Sequence, residues 1–244
     1  MKLIADLHTH TLASPHAYST LTENVVQGEK NGLKILAMTD HASSMGDSPH
    51  EWHHHNQTVL PRMIYNTFVL RGIEANIIDN IGRIDVSEDL LKKLDWVVAS
   101  YHWGEGNKSE ITNSYIKLLE NPHVSCIGHS DTARFEYDLK EVCKACHTYQ
   151  KAMELNVSRI RDDWKTEQRE FYKKMLTVCA EEKAFVVVNT DSHFWNTVGS
   201  FEPALKLISE VGFPEELVLN ADQEKVKQLV IRKNGVDIFK DVFK

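Results

Sequence analysis

The sequence predicts an α/β barrel of seven strand–helix units. Seven short apolar runs, at 3–7, 33–38, 68–70, 96–99, 124–127, 152–155 and 185–188, read as buried strands between polar or turn residues. The runs are continuous rather than alternating, as expected of parallel strands covered on both faces. After the first, their centres recur about every 30 residues, the length of one βα unit. Seven such units make a barrel one short of the usual eight, and barrels of this kind reach 244 residues as one domain. The expected domain spans 1–244, without linker or low-complexity segment.

Helical signals fall between the runs. Thr20 and Glu23 form a capping box before Asn24-Val25-Val26, and Gly32 stands where a helix C-terminus favours left-handed backbone. Ser87 caps the stretch 88–94, and Asp138 with Glu141 opens a helix through Cys146. The longest helical stretch covers 166–182, and Asp222 opens a last helix that Asn234-Gly235 closes.

Composition narrows the function classes. With 42% hydrophobic and 26% charged residues the chain can pack a core, so wholesale disorder is excluded. No apolar run approaches the ~18 residues of a membrane helix. Asp6 arrives too early for a secretory leader, so a cytoplasmic protein is expected. The formal charge of −7 disfavours duplex DNA and anionic membranes as partners. It would also repel a phosphorylated ligand unless something local reverses it. Four Cys are too few for a disulfide framework. Cys143-Lys144-Ala145-Cys146-His147 has haem-attachment spacing but lies in a predicted amphipathic helix, so its thiols read as packing.

The 13 His, more numerous than the 11 Gly, are the anomaly. Strand one runs into Asp6-Leu7-His8-Thr9-His10, and residues two apart on a strand share a face. His16 follows in the next loop. His41, Glu74, His102 and His129 stand at the ends of strands two to five, and Asp191 and His193 follow strand seven. All lie at C-terminal strand ends or just after them, where barrel loops converge on chemistry. Imidazole with carboxylate and no thiolate suits Zn, Fe or Mn better than Ca or Mg. Two or three ions can share such a set if a carboxylate bridges, an arrangement suited to phosphoester hydrolysis. Asp40 and Asp6 are candidate carboxylates for orienting ligating imidazoles.

At these residues the chain resembles the PHP (polymerase and histidinol phosphatase) family, most nearly its bacterial YcdX-type phosphatases. The likeness rests on Asp6-Leu7-His8-Thr9-His10, His16-Ala17-Tyr18-Ser19-Thr20-Leu21, Thr39-Asp40-His41, Leu70-Arg71-Gly72-Ile73-Glu74-Ala75-Asn76 and Asp191-Ser192-His193. The resemblance implies a distorted (β/α)7 TIM-like barrel with three divalent ions, zinc, iron or manganese. It implies His8, His10, Glu74 and Asp191 for the first ion, and Glu74 bridging to a second with His102 and His129. The third would rest on His16, His41 and His193. The implied reaction is hydrolysis of a small phosphomonoester by a metal-bridging hydroxide. Ser130-Asp131 follows His129 where such members often carry Pro, which bears on loop shape and substrate preference.

Strand six ends in Glu154-Leu155-Asn156 and offers no ligand on this reading. In the loop after it, Arg159 or Arg161 is expected to contact substrate, because guanidinium binds phosphate in a bidentate fork. The stretch 50–55, with four His around Trp52, reads as a lid, with Trp52 and Trp103 as cavity walls. Two other classes compete: an amidohydrolase-type C–N hydrolase and a non-catalytic metal-binding or regulatory module. The first would be expected to carry a bridging Lys at strand four, where His102 stands instead. Self-association is left open.

Overall fold

The computed structural model describes residues 1–162, 165–240 and 242. Its strands are β1 (Ala5–Thr9), β2 (Ile35–Met38), β3 (Met63–Ile64), β4 (Thr67–Asn76), β5 (Trp96–Ser100), β6 (Cys126–Ile127), β7 (Ala152–Asn156) and β8 (Phe185–Asn189). All but β3 form one parallel sheet in chain order, and each corresponds to one apolar run of the sequence. β3 was not anticipated. It is a two-residue antiparallel partner of β4, too short to carry a periodic signal.

The helices are α1 (Leu21–Lys30), α2 (Glu51–His55), α3 (Glu88–Leu91), α4 (Lys108–Glu120), α5 (Leu139–Tyr149), α6 (Thr166–Glu181), α7 (Glu202–Val211) and α8 (Gln223–Asn234). The Thr20–Glu23 capping box forms in full, and Gly32 takes φ +82 just past α1. α3 is shorter than the stretch 88–94, its last residues forming a turn. Cys143 and Cys146 lie on the buried face of α5. No helix among the described residues is long and apolar enough to cross a membrane.

Two apolar clusters hold the barrel. One lies between the sheet and the helices around it. The other fills the N-terminal end of the barrel with Ala5, Leu7, Ile35, Phe68, Leu70 and Trp96, and α8 closes it from below with Val226, Leu229 and Val230.

With seven strands the ring does not close by a regular ladder, and two asparagines fill the seam between β8 and β1. Leu7 N–H donates to Asn189 Oδ1 at 3.0 Å. Asn220 donates its amide to the carbonyls of Ala5 and Val188 and accepts from Val188 N–H, doing the work of a missing strand. Above them a Thr9–Ser192 bridge ties the strand ends together.

The register of β1 against β2 slips between Asp6 and Thr9, where β1 has one residue more than its partner. This bulge changes which side chains face in. Ala5 and Leu7 point into the barrel, and beyond the bulge His8 and His10 do so as well. Asp6 points the other way. It accepts hydrogen bonds from Thr190 N–H and Oγ1 and from Gly199 N–H, pinning the seam. The expectation that Asp6 orients a ligating imidazole is therefore corrected, because simple alternation across 6, 8 and 10 fails at the bulge. Burial raises its pKa to about 6, against the lowering by the Thr190 and Gly199 hydrogen bonds.

Candidate metal centre

The wider rim of the barrel gathers the donors that the sequence placed at strand ends. Glu74, on β4, is 1% exposed and sits at their centre. Its Oε1 lies 2.9 Å from His129 Nε2 and 3.2 Å from His102 Nε2. Its Oε2 lies 2.8 Å from His41 Nδ1, 3.4 Å from His8 Nε2 and 3.6 Å from His10 Nε2. One carboxylate thus turns a different oxygen to each of two imidazole groups. Asp191 Oδ1 is 3.1 Å from His10 Nε2 and 3.5 Å from His8 Nε2. Asn156 Nδ2 and Ser158 Oγ donate to its other oxygen. His16 Nε2 faces His41 Nε2 at 3.1 Å, and the His193 ring stacks on both His10 and His16.

Backbone geometry makes the crowding feasible. Asp191 has φ +51, a left-handed conformation that costs a non-glycine residue about 1 kcal/mol or more and turns its carboxylate inward. Gly128, just before His129, leaves no room for a side chain: a Cβ there would lie 2.2 Å from Ser100 Oγ. Only glycine lets β6 approach β5 this closely.

The electrostatics suit cations. Burial alone would raise the carboxyl pKa values, yet the imidazoles hold both well below the ordinary range, His8, His102 and His41 for Glu74 and His8, His10 and His193 for Asp191. Burial drives His10 down to about 4, so its ring is neutral and able to ligate. Burial opposes the charge on His129 too, but Glu74 lifts it to about 9.

Among the buried side-chain atoms without a well-aligned hydrogen bond are His8 Nε2, His41 Nδ1 and Glu74 Oε2, the last two only 2.8 Å apart. Orphaned buried polar atoms are costly and rare. Here His8 Nε2 and His41 Nδ1 both face Glu74 Oε2, at 3.4 and 2.8 Å, and bound cations would give such atoms partners. Three groupings bring donor atoms within 4.8 Å of one another: His8, His10 and Asp191; His10, His41 and His193; and His41, Glu74 and His102. The residues present therefore fit divalent metal. His10 and His41 each belong to two groupings, whereas the resemblance gives each to one ion.

The supporting contacts hold one surprise. Glu154, on β7, is in none of the three groupings, in line with the expectation that this strand offers no ligand. It is buried, its Oε1 lies 2.8 Å from His8 Nδ1, and its Oε2 accepts from His129 N–H. It fixes two donors at once, the role expected of a carboxylate behind a ligating imidazole. Its signal in the sequence was a lone charge inside the apolar run 152–155. Asn76 Oδ1 holds His102 Nδ1 at 2.7 Å, and Asp47 holds His16 Nδ1. Asp40 accepts from Thr11 and Ser14 and touches no donor ring directly, and Ser14 Oγ lies 3.4 Å from His10 Nδ1.

The donors open onto a cavity of about 240 Å³ that Ser158 and Arg159 also line. Arg161 is exposed and is not among its lining residues. The stretch 50–55, expected as a lid, lines no part of this cavity; His54 Nε2 lies against His41 O and His53 Nε2 against Asp40 Oδ2. Neither expected tryptophan wall is found. Trp52 is 76% exposed beside a separate apolar groove, and the Trp103 ring lies tilted 6.0 Å from the His102 ring without lining the cavity.

No protein-family model matches the chain. It is 38% identical over 238 residues to a probable phosphatase of Thermoanaerobacter sp. (strain X514), covering 96% of both chains. It is 36% identical over 236 residues to a probable phosphatase of Acetivibrio thermocellus, covering 96% of this chain and 97% of that one. Among solved structures it resembles the histidinol phosphate phosphatase of Lactococcus lactis, complexed with zinc, L-histidinol and phosphate. There the TM-score is 0.64 at 18% identity, over 88% of this chain and 95% of that one, which establishes the shared barrel. The relatedness over nearly the full length of these phosphatases, together with the donor-lined rim, means that the chain belongs to their family, the PHP-like phosphatases.

Proposed function

We propose that the protein is a trinuclear metal-dependent phosphatase that hydrolyses a small phosphomonoester, working in the cytoplasm as a single barrel over 1–244. The observation that carries this reading is Glu74, whose two oxygens face two separate imidazole groups while Oε2 makes no well-aligned hydrogen bond. His8, His10, Glu74 and Asp191 would hold one ion. Glu74, His102 and His129 would hold a second, and His16, His41 and His193 a third. Zinc, iron and manganese all suit these donors. Divalent ions held by these residues would supply Lewis acidity, neutralising phosphoryl charge and lowering the pKa of bound water. Three of them would bring the formal charge from −7 to about −1, with the positive charge concentrated at the rim.

The chain's own residues supply position. Glu154 and Asn76 fix His8 and His102 through Nδ1, leaving each Nε2 turned toward Glu74. Asn156 and Ser158 occupy one oxygen of Asp191, so the other faces His8 and His10. Arg159 stands at the cavity wall as the group that meets the phosphoryl oxygens. The test is phosphate release from p-nitrophenyl phosphate by protein loaded with zinc, manganese or iron. Turnover that chelation abolishes and metal restores is expected. No release with any of the three metals would contradict the proposal.

A further inference from the structure

The loop after β6 departs from the usual pattern at Ser130-Asp131, and the structure gives that departure a use. Ser130 Oγ lies 2.9 Å from Tyr137 Oη, which anchors the loop against the outer core. The Asp131 carboxylate is fully buried as a side chain and does not line the donor cavity. Both its oxygens lie on one atom of Arg159: Nε donates to them at 3.1 and 2.9 Å. Tyr172, itself buried on α6, donates its hydroxyl to Asp131 at 3.2 Å. Arg159 follows β7 in a single 3-10 turn, Val157–Arg159, and lines the donor cavity. Its side chain is 37% exposed, and its two Nη groups bond no described residue.

We propose that Asp131 is a positioning residue: held by Tyr172, it grips Arg159 through Nε and leaves the Nη edge of the guanidinium facing the cavity as a pre-set fork for phosphoryl oxygens. This rests on the phosphatase reading above. Arginine loses long-chain side-chain freedom when it clamps a ligand, and a carboxylate that restrains Nε beforehand reduces that loss. Restraint by a carboxylate also has an electrostatic cost, because Asp131 weakens the field that Arg159 presents to an anion. The two effects have opposite signs, so experiment separates them.

The probe is inorganic phosphate, titrated calorimetrically into metal-loaded protein, alongside KM and kcat for p-nitrophenyl phosphate. Positioning predicts that Asp131→Ala weakens phosphate binding and raises KM about tenfold, with kcat within about twofold. Asp131→Asn keeps an acceptor for Nε and restores most of the affinity. Tyr172→Phe, which removes only the hydroxyl, gives a smaller loss of the same kind and serves where the Ala variant does not fold. In an Arg159→Ala background, Asp131→Ala and Tyr172→Phe should add nothing, because their effect passes through the guanidinium.

Tighter phosphate binding in both Asp131 variants would overturn the proposal and make Asp131 a mere charge counterweight. Additive losses in the Arg159→Ala background would overturn it too, as would unchanged affinity throughout. Wild-type protein that binds phosphate but releases none from the ester contradicts the phosphatase reading and leaves the positioning test readable.

Discussion

The two ends of the barrel are built on the same strands and do opposite things. β4 carries Phe68 and Leu70 into the lower end and Glu74 into the rim, and β1 carries Ala5 and Leu7 below and His8 and His10 above. The lower end is apolar and closed by α8. The rim is buried as well, but its donors leave Glu74 Oε2, His8 Nε2 and His41 Nδ1 without well-aligned hydrogen bonds. The unpaired atoms at the rim are of metal-ligating types and gather on one carboxylate, whereas the lower end packs apolar side chains. Barrel enzymes generally divide stability from chemistry in this way.

Substitutions at the two ends should therefore fail differently. The largest effect is expected from Glu74→Gln, which should lower kcat of the metal-loaded protein about a thousandfold, together with its metal content, in steady-state assays. At the other end Phe239, 1% exposed and with its ring tilted against Phe68 at 4.5 Å, should behave in the reverse way. Phe239→Ala should cost about 3 kcal/mol in urea unfolding while the folded fraction keeps its specific activity. A comparable loss of activity per folded molecule would erase the division between the ends.

Glu154→Gln sharpens it. Glu154 shares β7 with the core residue Ala152 yet acts on the rim, so metal affinity measured against a competing chelator should weaken about tenfold or more. Smallest of all is Arg161→Ala. With Arg161 exposed and outside the cavity lining, kcat/KM should stay within about twofold of wild type.

Much of this division was legible in the sequence. The seven apolar runs gave the strands because parallel strands buried on both faces need continuous apolar residues. The donors stood out because strand ends are fixed by those runs. α4 and α7 were missed, although Asn107 and Glu110 form a capping box that announces α4. α2 escaped because a five-residue helix has no period to read. Asp6 failed for a different reason. A bulge is a long-range register event between β1 and β2, and nothing local in Asp6-Leu7-His8 encodes it. Glu154 and the Asp131–Arg159 contact join residues 146 and 28 positions from their partners, so only the fold brings them together.

The most direct test of the central claim is metal analysis of protein purified without chelator and reconstituted to saturation. Three divalent ions per chain are expected, falling in Glu74→Gln, the variant that removes the carboxylate proposed to bridge. Two or fewer in the saturated wild type, or three retained in Glu74→Gln, would contradict a trinuclear centre built around Glu74.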